Sequence, residues 1–203
     1  MIGLIGGTGP EGRGLGMRFA MAGEDILIGS RDLSRAVAAA EKITGITTLG
    51  RVSGAVNDIV AMRADPVFVT VPYEGQRPTL EHLSDTLAGK VVVEVVAPIG
   101  FEKRVAHIVA VPDGSAAEAA QALLPKSRVV AAFQTISAHD LLNPTVSIDS
   151  DILVCGNDVD AKHLIMSLAN SISGARAVDG GGLRNARYVE GFTALLLNIN
   201  RIY

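Results

Sequence analysis

Residues 1–16 read MIGLIGGTGPEGRGLG: an apolar run, then a cluster of glycines, then the start of a helical pattern. Gly7, Gly9 and Gly12 satisfy G-x-G-x-x-G, in the strand–turn–helix context that gives the motif meaning. Glycine permits the tight turn and lets backbone approach a pyrophosphate. The helix behind it presents free N–H groups and the positive end of its dipole to the anion. Pro10 suits a first helical turn, where its missing N–H costs nothing. The same residues also read as a glycine-rich turn without a ligand, but their position after a buried strand favours a dinucleotide.

The chain has 203 residues, 48% of them apolar, and a net charge of −3. That length suits one domain with a sizeable core, with or without a small appendage. The charge gives no electrostatic case for nucleic acid or an anionic membrane. No stretch resembles a secretory leader or a membrane span. Cys155, the single cysteine, lies in an apolar run and reads as a packed thiol. A cytoplasmic location is the expectation.

The first half alternates strand and helix. Strands are predicted at 1–5, 25–29, 47–52, 66–70 and 91–96. Helices are predicted from Pro10 or Glu11 to 22, then at 33–43, 55–63 and 79–87, with Asp32 capping the second. The strands are apolar on both faces, so the expected fold is a Rossmann-like, doubly wound parallel sheet, α/β in class. Residues 101–111 are ambiguous. Ser115 and Glu118 form a capping box that opens a helix to about 124. Further strands are predicted at 128–132 and 152–155, and a helix capped by Asp158 at 160–171.

The last predicted helix spans 183–203. Val189, Phe192, Leu196, Ile199 and Tyr203 make one apolar stripe, and Tyr188, Leu195 and Ile202 a second. A helix that is apolar on two sides needs two partners. The chain itself is one, and a second subunit is the expected other. Residues 1–150 are expected to form the nucleotide-binding domain, and 151–203 a smaller C-terminal part carrying the dimerisation helix.

The end of the second strand selects the nucleotide. NAD sites place an acidic residue there to hold the ribose hydroxyls. This chain has Gly29-Ser30-Arg31, with Arg35 a helical turn later. Guanidinium groups bind phosphate through charge-assisted hydrogen bonds, so the 2′-phosphate of NADP is favoured over NAD. A solvated basic surface is the competing reading, and Asp32 lies beside it. Val71-Pro72 and Val96-Ala97 follow strands that end at the same crevice. They suit the wall of a nicotinamide pocket and fit ordinary core packing equally well.

No familiar acid–base set is present. Tyr-x-x-x-Lys and G-x-S-x-G are absent, and the four histidines lack metal-ligand spacing, with His82 and His163 read as surface residues. A nicotinamide enzyme without a proton donor suggests hydride transfer between two coenzymes, where juxtaposition does most of the catalysis.

At this level of detail the chain resembles the NADPH-dependent reductases of the deazaflavin coenzyme F420. The resemblance rests on Gly6-Gly7-Thr8-Gly9 with Gly12, Gly29-Ser30-Arg31, Val71-Pro72-Tyr73-Glu74, Thr135-Ile136, Val154-Cys155-Gly156-Asn157-Asp158, and Asn185-Ala186-Arg187-Tyr188-Val189-Glu190 continuing through Thr193. It implies a homodimer, with NADP on Thr8, Gly9, Ser30, Arg31 and Arg35. It also implies a deazaflavin stacked on the nicotinamide beside Thr135, Ile136, Arg187 and Thr193. Ile136 then presses the rings together, and hydride passes between nicotinamide C4 and deazaflavin C5. Together, motif and resemblance place NADP on Gly7, Thr8, Gly9, Pro10, Glu11, Gly12, Ser30, Arg31, Arg35, Val71, Pro72, Val96 and Ala97, with Gln134 joining the deazaflavin side. Gln134 stands where the family commonly has histidine, and Gly191 where it has serine.

Two other readings fit the same residues. One is an NADPH-dependent reductase of another flavin or a small electrophile. The other is a non-catalytic NADP(H)-binding redox sensor.

Overall fold

Ile2, Leu4 and Ile5 are buried because their strand, β1 (Ile2–Ile5), has a neighbour on each edge and helices over both faces. The structure is a computed structural model that describes residues 1–202, with side chains described through residue 200. From β1 the chain runs through α1 (Pro10–Met21), β2 (Ile26–Ser30), α2 (Leu33–Thr44), β3 (Val52–Val56) and α3 (Asn57–Arg63). Next come β4 (Val67–Val69), α4 (Tyr73–Leu87) and β5 (Val91–Glu94). A hairpin, β6 (Ile99–Glu102) and β7 (Val105–Ile108), leads into α5 (Ala116–Leu123) and β8 (Arg128–Ala131). The chain then adds α6 (Ala138–Leu141), β9 (Ser150–Gly156), α7 (Val159–Ser171) and β10 (Ala175–Asp179). A 3-10 turn, Leu183–Asn185, opens α8 (Ala186–Ile202).

The main sheet has eight strands in the order β10-β9-β8-β5-β4-β1-β2-β3. Strand side chains alternate between two cores, as the pleat requires. Leu4 joins Leu15, Phe19, Phe68 and Phe133 on one side, where Phe19 packs against Phe68 with ring centroids 5.2 Å apart and planes tilted by 57°. Ile5 joins Val60, Leu80, Leu83 and Val189 on the other. The Rossmann-like expectation holds, with one correction. Every pairing from β3 to β8 is parallel, but β9 runs antiparallel to β8 and β10 parallel to β9. A parallel joint needs a full crossover, and the β8–β9 connection holds only the short α6.

Other elements fall elsewhere than the sequence predicts. The third strand is Val52–Val56, not 47–52, paired from Ile26↔Val52 to Ser30↔Val56. A Cβ on Gly54 would run into the backbone of Ala36 and Val37, so its bareness lets α2 lie on the strand. Helix α4 begins at Tyr73 rather than 79 and carries Pro78 inside it. Thr79 Oγ1 donates to the Gly75 carbonyl at 2.6 Å just beyond that proline. The ambiguous segment is the β6–β7 hairpin, whose turn residues Lys103 and Arg104 have φ of 46° and 72°. Such a turn ordinarily carries Asn-Gly, so nothing in the sequence announces it. Strand β10 was not expected.

The burial of α8 divides its apolar residues differently from the predicted stripes. Ala186, Val189, Glu190 and Ala194 face inward, while Tyr188, Phe192, Leu195 and Ile199 are exposed. Asn198 holds the helix to the hairpin, accepting from the Ala106 N–H at 2.8 Å and donating to its carbonyl at 2.9 Å. The stripe positions Ile202 and Tyr203 lie outside the described side chains. Among the described residues, no helix is long and apolar enough to cross a membrane.

Candidate functional site

The glycines of the first loop divide the work. Gly6 sits at φ 71°, and its N–H donates to Asn57 Oδ1 at 3.1 Å. A Cβ on Gly7 would lie 2.8 Å from the Leu4 carbonyl oxygen, and one on Gly12 only 2.5 Å from Gly7 Cα. Those two positions let helix, loop and strand close on one another. A Cβ on Gly9 would meet nothing within 4 Å. Gly9 also caps α1 without a side-chain hydrogen bond, so the first-turn amides are left to whatever lies over the loop.

Over that loop is a cavity of about 1050 Å³ at the carboxyl ends of the parallel strands. Ligands of open α/β sheets bind there, where the strand order reverses about β1. Its walls include Thr8, Gly9, Pro10 and Glu11 from the loop, Ser30, Arg31 and Arg35 from the β2–α2 connection, and Val71, Pro72, Val96 and Ala97 beyond β4 and β5. These were the expected dinucleotide contacts. Gly7 and Gly12 lie behind the lining in their packing roles.

At the β2 end, Asp32 is turned back on its own helix. Its Oδ1 accepts from the Ser34 N–H at 2.8 Å, from Ser34 Oγ at 2.7 Å and from the Arg35 N–H at 3.4 Å. These bonds hold the carboxyl below its ordinary pKa, chiefly through Ser34. A carboxylate engaged as a cap is not placed as a ribose ligand, and the cations beside it line the cavity. Ser30 is buried, with its Oγ accepting from the Asp32 N–H at 3.2 Å.

At the other end Thr70 Oγ1 donates to the Ile5 carbonyl at 2.8 Å, fixing the β4 exit. Behind Val96 lies Glu94, fully buried, whose Oε1 accepts from the Val96 N–H at 3.0 Å and Oε2 from Gln76 Nε2 at 2.8 Å. Burial pushes the Glu94 carboxyl up to about 8. Gln134 Nε2 donates to the Glu94 carbonyl at 2.9 Å, and Thr193 Oγ1 donates to the Gln134 carbonyl at 3.0 Å. Glu190, one turn before Thr193 on α8, caps α5 by accepting from Ala116 and Ala117 at 2.9 and 3.2 Å, and burial raises it to about 7.

Of the residues assigned to the second ring system, the structure therefore joins Gln134 and Thr193. Thr135 and Ile136 follow Gln134 in a half-buried stretch. Arg187 is drawn aside: its Nη2 donates to both Glu118 oxygens, at 2.7 and 2.9 Å. None of these five lines the dinucleotide cavity itself. Reasoning from sequence missed Asn57, which braces the glycine loop, and Glu94. His82 is the surface residue the sequence predicts. His82 lines the cavity and holds Asp58 at 2.6 Å. These groups are brought in by distant elements, β5, α3 and α4, and leave no local sequence signal. Cys155 is buried, with its thiol pushed up to about 11 mainly by burial, and is inert packing.

The residues fit a dinucleotide phosphate: an uncapped helix N-terminus, open space over Gly9, and two cations without a competing ribose carboxylate. Comparison with known proteins agrees. The profile of a family described as NADP oxidoreductase, coenzyme F420-dependent, matches residues 1–98. The F420-dependent NADP reductase of Methanothermobacter marburgensis is 42% identical, over 98% of this chain and 92% of its own length. The one from Methanocaldococcus jannaschii is 39% identical, over 100% and 93%. A crystal structure from Arthrobacter sp. FB24, provisionally described as an F420-dependent NADP reductase, superposes with a TM-score of 0.79 at 26% identity, covering 98% of this chain and 90% of that one.

Proposed function

This chain belongs to the F420-dependent NADP reductase family, and from that premise we propose that it transfers a hydride between NADP(H) and the deazaflavin coenzyme F420. When bound, the nicotinamide supplies hydride at C4 and the deazaflavin takes it up at C5.

The protein's part is to bind and align. Thr8, Gly9 and the α1 N-terminus hold the pyrophosphate, and Ser30, Arg31 and Arg35 hold the 2′-phosphate. Val71, Pro72, Val96 and Ala97 form an apolar wall that excludes water from the ring. Gln134, Thr135, Ile136, Arg187 and Thr193 serve the deazaflavin side, with Ile136 pressing the two rings together. One observation carries the juxtaposition. Val96 on the nicotinamide wall and Gln134 on the second side are both hydrogen-bonded to Glu94, at 3.0 and 2.9 Å. One buried residue thus sets the spacing between them.

The proposal includes a homodimer built on α8, with residues 1–150 as the nucleotide-binding part and 151–203 as the part carrying the dimer helix. The exposed row Tyr188, Phe192, Leu195 and Ile199 supports it, since these side chains repeat at helical spacing beside the exposed Phe101 and Val105 of the hairpin. A cytoplasmic location belongs to the same reading, supported by the buried free thiol of Cys155.

The test is direct. Purified protein with NADPH should bleach the visible absorbance of oxidised F420. Bleaching of another flavin with F420 untouched would move the acceptor to the second reading, and NADPH binding without turnover on any acceptor would favour a sensor.

A further inference from the structure

Glu11 is a carboxyl in the coenzyme cavity that the hydride reaction does not use. It stands second in α1 and lines the cavity, and its Oε1 is buried without a hydrogen-bond partner among the described residues. Such an orphan is costly unless a ligand or a proton satisfies it.

Helix geometry gives its direction. Glu11, Gly14 and Arg18 share one face of α1. A Cβ on Gly14 would lie 2.5 Å from Leu141 Cβ, and Arg18 Nε donates to the Leu141 carbonyl at 2.9 Å. That face looks at α6 and the Gln134–Ser137 stretch leading into it. Arg13, two residues round the helix, lines a separate pocket with Arg35 and Lys42 of α2. Glu11 therefore leaves the helix opposite Arg13, on the side of α6, which puts it toward the ring end of the cavity it shares with Arg31 and Arg35.

We propose that Glu11 is a positioning residue that exchanges a proton with the redox state of the nucleotide: a neutral carboxyl beside NADPH, a carboxylate beside the cationic ring of NADP⁺. Burial raises the free carboxyl to about 8, so it is mostly protonated at neutral pH and has a proton to release. A cation brought close favours the charged form. Binding of NADP⁺ then expels a proton from Glu11 Oε1 or Oε2, and binding of NADPH does not. The ionisable groups on the elements packed against α1 are His139 and Asp140 on α6, and Arg35, Glu41 and Lys42 on α2. Strands β1 and β2 bring none, and α1 itself adds Arg13 and Arg18. The coenzyme cavity that Glu11 lines adds Arg31, Tyr73, Asp58 and His82, the last two joined at 2.6 Å.

This inference rests on the NADP half of the proposed function and needs no deazaflavin. The experiment measures Kd for NADP⁺ and NADPH from pH 6 to 9 and follows their ratio, in which the titration of the shared 2′-phosphate cancels. In the wild type, NADP⁺ should gain on NADPH as pH rises toward about 8, by up to about tenfold per pH unit, the limit for one proton. In Glu11→Gln the ratio should be flat, and in His139→Gln it should keep the wild-type slope. An infrared difference spectrum of wild type should show a protonated-carboxyl band with NADPH that is lost with NADP⁺, which keeps the test independent of how well the variant folds. A pH-independent ratio in wild type, or an unchanged slope in Glu11→Gln, overturns the assignment while leaving the nucleotide site intact. No binding of either nucleotide overturns the NADP reading itself.

Discussion

Gln134 hangs from Glu94: its Nε2 donates to the Glu94 carbonyl at 2.9 Å, while the carboxyl of the same glutamate takes the Val96 N–H and the Gln76 amide. Both carboxyl oxygens face donors. Glu94→Gln sets an NH₂ against one of them and should cost about 1–3 kcal/mol, the range for an unsatisfied buried polar group. Denaturant unfolding measures it. Because the Glu94 carboxyl holds Val96 on the proposed nicotinamide wall, the variant should also raise KM for NADPH, while the bond from Gln134 to the Glu94 main chain is kept. An unchanged stability and KM would remove Glu94 from this role.

Stability should fall as pH rises from about 4.5 to about 8. Glu11, Glu94 and Glu190 titrate near 4.5 when exposed but at about 8, about 8 and about 7 in the fold, each raised chiefly by burial. The folded state therefore binds more protons than the unfolded state across that window. The slope of unfolding free energy against pH is negative, by up to about 1.4 kcal/mol per pH unit for each group. Melting temperatures across this window check the sign, and Glu94→Gln should lessen the slope by one group's share, leaving that of Glu11 and Glu190.

Arg31→Ala should weaken NADP binding by about 1.5–3 kcal/mol, the range for a hydrogen bond to a charged group, and leave NAD binding nearly unchanged. Titration calorimetry with both nucleotides decides it. Equal losses would mean that Arg31 does not hold the 2′-phosphate.

Two glycines of one motif should respond in opposite ways. Gly12→Ala drives a methyl to 2.5 Å from Gly7 Cα and should destabilise the fold by about 1–3 kcal/mol. Gly9→Ala meets nothing within 4 Å, so it should fold as the wild type does and lose nucleotide affinity instead. Melting curves with and without NADP separate the two effects.

Leu195→Glu should convert the proposed dimer to a monomer without unfolding it, because Leu195 is 52% exposed on the outer row of α8. Light scattering gives the mass and circular dichroism the fold. A wild-type protein that is monomeric at high concentration would contradict the interface.

The features legible in the sequence are those held by local bonds. Asp32, Ser115 and Asp158 cap their helices as their spacing implies, each accepting from backbone N–H groups one turn on. The cavity lining proposed for the nucleotide was legible for the same reason, since glycines, strand end and basic pair lie in one βαβ unit. The misread elements depend on distant partners. Gly54 is strand because α2 needs its bare Cα, Pro78 is carried inside α4, and β9 reverses because α6 is too short for a crossover. Glu11 shows the limit most clearly. In sequence it reads only as one of the NADP-binding residues of the glycine loop, and the surrounding burial is what raises its carboxyl to about 8.

The central claim is that hydrogen passes directly between two stacked rings. NADPH deuterated at the transferring C4 position should give reduced F420 that carries the deuterium at C5, with no loss of label to water and none gained when unlabelled NADPH is used in heavy water. Mass spectrometry of the product reads this in one experiment. Reduced F420 whose C5 hydrogen comes from solvent would contradict direct transfer.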